Sequence, residues 1–149
     1  MTFLKENFFS TNKWYVTGIV EAPLNEVFKI LLETITQNVK PLLDLKSNFE
    51  TNKSDINNYF VIDPHLNTIT IRGGFWYEGI FSTTEIENQT RIMYRVNNIG
   101  PKSNIIPKIS KWLVPIWQHK MPSKMRLELN DCLINIGKQL NCKTYIENN

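Results

Sequence analysis

Apolar and polar positions change period several times along this chain, and each change marks an element. Residues 13–21, "KWYVTGIVE", are rich in β-branched and aromatic side chains and read as a strand that stops at Ala22-Pro23. Directly after it, Leu24, Val27, Phe28, Leu31 and Ile35 recur at i, i+3, i+4, i+7 spacing, the one-sided stripe of an amphipathic helix. Pro23 suits the first helical turn, where its missing N–H has no partner to lose, and Glu26 complements the helix dipole. The helix is expected to end before Pro41, because an internal proline breaks the hydrogen-bond ladder. Residues 44–58, "DLKSNFETNKSDINN", are polar and read as loop, with a short strand around 48–51 as the one exception.

A period of two then takes over. Residues 58–63 are strand-like, and Pro64-His65-Leu66-Asn67 is a turn. In 68–72, Ile69 and Ile71 alternate with Thr68, Thr70 and Arg72. After Gly73-Gly74, residues 75–87 form a long strand, and Glu87-Asn88-Gln89-Thr90 a tight hairpin turn. Residues 90–98 alternate again, Ile92, Tyr94 and Val96 against Arg91, Met93, Arg95 and Asn97. Strands joined by short turns imply an antiparallel sheet with one buried face. A second amphipathic helix runs from about Ser123, a good N-cap, to Cys142, with Met125, Leu129, Cys132, Leu133, Ile136 and Leu140 as its apolar stripe. Between sheet and helix, "NIIPKISKWLVPIWQHKMP" (104–122) is apolar, yet Pro107, Pro115 and Pro122 argue against one long regular helix there.

Composition fits a soluble globular protein: 149 residues, 42% hydrophobic and 21% charged, with four Trp, five Tyr and eight Phe. There are no repeats and no linker, so residues 1–149 read as one domain with a core at about 13–142. The N-terminus lacks a signal-peptide pattern and no stretch approaches a membrane span. Cys132 and Cys142 lie ten residues apart on one predicted helix, roughly 15 Å along its axis, too far for a disulfide. Free thiols without an export signal point to the cytoplasm. Net charge is only +3, but residues 100–127 hold six basic side chains and no acidic one. No nucleic-acid motif accompanies that stretch and the charge is modest, so no nucleic-acid partner is expected.

Strand, helix, meander and closing helix make an α+β order in which a curved antiparallel sheet wraps the last helix. Three stretches, "VEAPLNEVFKIL", "RGGFWYEGIFSTTEIENQTRIMYRVNNI" and "MRLELNDCLINIGKQL", resemble in order and spacing the SRPBCC superfamily. This helix-grip fold is shared by START-like lipid carriers, birch-pollen-allergen-like proteins and polyketide cyclases. The resemblance implies a cavity between the sheet and the C-terminal helix. By strand parity its lining would be Phe60, Ile62, Ile69, Ile71, Phe75, Tyr77, Phe81, Ile92 and Tyr94. Phe28 and Leu31 would approach from the first helix, Met125, Leu129 and Leu133 from the last, and Trp117 from the segment before it. The plainer alternative is that these side chains simply fill a core. A bulge at Gly79 would reverse parity beyond it and bring Trp76 and Glu78 into consideration.

The 104–122 stretch reads first as turns packed on the sheet edge, second as a lid, and last as a membrane-surface patch. Neither His65 nor His119 has a partner at metal-ligand spacing, and no nucleophile elbow, phosphate loop or dinucleotide fingerprint occurs. No metal, cofactor or catalytic residue is therefore expected. Glu78, Glu85 and Glu87 with Arg72, Arg91 and Arg95 read as outer-face ion pairs. The favoured function is binding or carriage of a hydrophobic small molecule, lipid-like or polyketide-like. The alternative is a cyclase or dehydratase in which Tyr77, Tyr94, Glu78 or His119 moves protons, and a third is a protein-docking module built on Trp112 and Trp117.

Overall fold

A computed structural model describes residues 13–49, 60–73, 77–98 and 110–148, with side chains at 14–38, 60–71, 78–97 and 120–148. The elements in chain order are β1 (Lys13–Val20), α1 (Leu24–Phe49), β2 (Phe60–Asp63), β3 (Thr68–Gly73), β4 (Tyr77–Ile86), β5 (Gln89–Asn98), α2 (Ser110–Leu140) and β6 (Thr144–Ile146). All six strands join one antiparallel sheet in the order β2-β3-β4-β5-β1-β6. The expected α+β class holds, as an open antiparallel sheet with a C-terminal helix.

Turns place the strands. Asp63 Oδ1 accepts the N–H groups of His65 and Leu66, an Asx turn that ends with Asn67 at φ 52. Glu87 (φ 47) and Asn88 alone connect β4 to β5, since Ile86 already pairs with Gln89; the tight hairpin turn is present, one residue earlier than expected. At the β1–α1 junction the Thr90 hydroxyl donates to the Ala22 carbonyl at 2.8 Å, and the Pro23 carbonyl accepts Val27 N–H. The abrupt strand end is thereby bonded to the neighbouring strand β5.

Both helices are longer than the sequence pattern suggests. α1 passes through Pro41 to Phe49, so residues 44–49 are helical and not loop, and no strand begins at 48. α2 begins at Ser110, not Ser123, and contains Pro115 and Pro122. Each internal proline removes one N–H donor without ending the ladder around it. Pro122 faces solvent, where water can satisfy the Gln118 carbonyl it leaves, while Met121 and Met125 on either side of it are buried. α2 ends at Leu140 through a Schellman motif: Asn141 has φ 51 and Cys142 N–H reaches the Gly137 carbonyl. That reversal delivers β6, which the sequence reading lacked, onto β1 at Gly18–Val20.

The register assigns the two faces. Cross-strand rows Ile62–Ile69–Phe81–Tyr94–Val16 and Phe60–Ile71–Gly79–Val96–Trp14 lie on the face that packs against the helices. Pairing is continuous through Gly79, so there is no bulge, and Phe81 faces inward while Ile80 and Ser82 face outward. The core joins this face to Val27, Ile30, Leu31 and Ile35 of α1 and to Met121, Met125, Leu129, Leu133 and Ile136 of α2. On the other face, Ile19 and Thr17 are the buried positions among the described residues.

Candidate functional site

The helix-covered face carries most of the residues expected to border a ligand. Ile69, Ile92, Tyr94, Phe81, Leu31, Met125, Leu129 and Leu133 are all buried and belong to one apolar cluster. Phe28, Phe60 and Ile71 pack against that cluster while remaining half-buried. Ile62 shares their face but lies on the edge strand and is 41% exposed, so it borders solvent. Tyr77 pairs with Gly73 and Asn98 at the start of β4, and its side chain is outside the description. Trp117, with Trp112 and His119, falls within α2, and the side chains of all three are outside the description, as is the whole of Phe75 and Trp76.

Two inner-face rows differ in how fully they are filled. In one, Phe81 and Tyr94 stack with ring centroids 4.2 Å apart and planes within 4°. In the next, Gly79 contributes no side chain; its neighbour Val96 is fully buried, while Ile71 on its other side and Phe60 and Trp14 at the row's ends are only partly buried. The β-rich pattern therefore builds a dense aromatic row beside a row with a bare backbone position at its middle strand.

One polar contact enters this apolar setting. The Tyr94 hydroxyl donates to Glu128 Oε2 at 2.9 Å, joining β5 to α2. Glu128 Oε1 lies 3.7 Å from Lys124 Nζ, and their side chains are 41% and 63% exposed, so this pair sits at the rim. Glu128 was not among the residues expected from sequence. Its signal was a carboxylate at i+3 from Met125 and adjoining Leu129, on the margin of the α2 stripe. A second link closes the helix layer: Asn135 Nδ2 donates to Thr34 Oγ1 at 2.7 Å, and Thr34 donates to the Ile30 carbonyl.

The charged outer residues pair differently from the expected lattice. Arg91 on β5 donates from Nε and Nη2 to the two carboxylate oxygens of Glu147, both at 2.9 Å, reaching across β1 to the end of β6. Glu78 accepts from Asn97 Nδ2, opposite it on β5, and Glu85 occupies an inward register position at the strand end. An open groove of about 470 Å³ lies elsewhere, between α2 and β6, lined by Ser123, Arg126, Leu127, Asn130 and Ile146. None of the expected lining residues borders it.

Among the described residues no group of three or more His, Cys, Asp or Glu side chains is placed to hold a metal ion, and no helix is long and apolar enough to cross a membrane. Burial pushes the Cys132 thiol up to about 11, which suppresses thiolate chemistry there. No protein-family model, no curated protein and no solved structure matches this chain.

Proposed function

We propose that this chain has a helix-grip arrangement of the SRPBCC type and binds or carries a hydrophobic small molecule between the sheet and α2. The observation that carries this reading is the row Phe60–Ile71–Gly79–Val96–Trp14, in which a side-chain-free position lies between a partly buried Ile71 and a buried Val96, with partly buried Phe60 and Trp14 at the row's ends. A ligand seated over Gly79 would touch the Phe81 and Tyr94 rings of the neighbouring row. Enclosing ~300 Å² of apolar ligand at ~25 cal/mol per Å² contributes several kcal/mol before ordering costs, enough for affinity without any reaction. The order of elements and the packing of α2 across β1 support the same arrangement.

Gly79→Val tests it. In the proposed site valine fills the space above β4, so binding of an uncharged environment-sensitive dye such as Nile red is lost while the melting temperature holds or rises. If the wild-type protein binds no such dye and Gly79→Val destabilises the fold, the interior is already filled at that point and the reading fails.

The cyclase or dehydratase alternative draws on the Tyr94–Glu128 hydrogen bond, since a phenol and a carboxylate in contact can pass a proton. Carriage is preferred because Tyr94 is 1% exposed and wedged against Phe81, a setting for a fixed contact more than for turnover.

A further inference from the structure

The Tyr94–Glu128 contact also bears on which amphiphile the site would take, an inference that rests on the binding reading above. Glu128 is a carboxylate at the margin of an otherwise apolar cluster, held in place from below by the Tyr94 hydroxyl at 2.9 Å. That bond engages Oε2. Among the described residues the other oxygen, Oε1, has only a 3.7 Å contact with Lys124, beyond hydrogen-bond length, in a pair whose side chains are 41% and 63% exposed. An incoming donor can therefore displace Lys124 at little cost and gain a charge-assisted hydrogen bond. An incoming carboxylate would instead meet a like charge whose position is fixed by Tyr94.

We infer that the polar end of the ligand is a hydrogen-bond donor, an alcohol or an amine, accepted by Glu128 at the rim, and that fatty-acid-like anions are disfavoured. The whole-protein charge of +3 works in the opposite direction, attracting anions in general. A preference for donors would thus be a property of this local geometry and not of the overall field.

Three amphiphiles of equal chain length separate the cases: dodecanol, dodecylamine and dodecanoate, each measured by equilibrium dialysis against the full chain. The alcohol, the amine or both are expected to bind at least about tenfold tighter than the acid, a difference of about 1.4 kcal/mol. Glu128→Gln, which keeps an acceptor for Tyr94 but removes the charge, should shrink the amine-over-acid ratio toward one. Tyr94→Phe, which preserves the stacked ring and frees Glu128, should reduce the same ratio in part. Dodecanoate binding as well as or better than both donors overturns the inference and leaves the carrier reading standing. So does a ratio unchanged in Glu128→Gln. Failure of all three to bind overturns the inference together with the reading beneath it.

Discussion

Leu133 of α2 lies so close over Gly18 of β1 that a Cβ on Gly18 would come within 2.6 Å of its Cδ1 and 3.2 Å of its Cδ2. The closing helix can approach the sheet at this point because the strand offers bare backbone. Leu133 is itself 1% exposed, so it cannot swing aside into solvent. Gly18→Ala is expected to destabilise the protein by about 1–3 kcal/mol through overpacking. Leu133→Ala should cost about 2–5 kcal/mol through the space it leaves. In the double variant the two losses should be clearly less than additive in urea denaturation, since each relieves the other. Simple additivity would show that this contact does not set the helix–sheet distance.

The bidentate Arg91–Glu147 pair ties the last residues to β5 and gives stability an acid-sensitive component. The hydrogen bond from Arg91 holds the Glu147 carboxyl below its ordinary value of 4.5. A carboxyl whose folded value is lowered stabilises the fold above its unfolded value and loses that contribution as pH falls through the folded one. Wild type should therefore be more stable than Glu147→Gln at neutral pH, with the gap closing as pH drops below 4.5. Thermal melts of both proteins across that range check it. A gap that persists in strong acid would assign the effect to something other than this charge pair.

The two thiols should differ in reactivity. Cys132 is buried, and burial first, with the Glu128 and Asp131 charges adding to it, pushes its thiol up to about 11. Cys142 is raised too, again chiefly by burial, but it lies half-exposed at the helix end. At mildly alkaline pH, alkylation followed by intact-mass analysis should label Cys142 first, with Cys132 reacting only as fast as the fold opens. Equal labelling rates would contradict the packing of α2 described above.

Glu87 occupies the left-handed region (φ 47) in the two-residue connection between β4 and β5. A side chain with a Cβ is disfavoured there and glycine is not. Glu87→Gly is expected to raise stability by about 1 kcal/mol without altering the register from Ile86–Gln89 inward. A loss of stability in urea would indicate that the Glu87 side chain contributes more than its backbone strain removes.

Much of the sheet was legible in the chain itself. Alternation in 68–72 and 90–98 assigned Ile69, Ile92, Tyr94 and Val96 to the covered face, and all four are buried. The i, i+3, i+4 stripes of both helices identified Val27, Leu31, Ile35, Met125, Leu129, Leu133 and Ile136, because burial of one helical face leaves a periodic trace. Proline was the misleading signal. Pro41, Pro115 and Pro122 read as boundaries, yet one missing N–H removes one bond, and helices continue where the surrounding turns keep theirs.

What the sequence by itself determined was therefore local: which residues alternate, which side of each helix is apolar, and where a turn is affordable. Which residues meet was decided by tertiary structure. Tyr94 and Glu128 are 34 positions apart, Arg91 and Glu147 56, and Thr34 and Asn135 101, and nothing periodic connects them. β6 likewise exists only because the Asn141 turn returns the chain to a β1 edge already built from distant parts. A periodic pattern records the direction each side chain faces; the partner it finds there depends on how whole elements pack, and that is a property of the assembled fold.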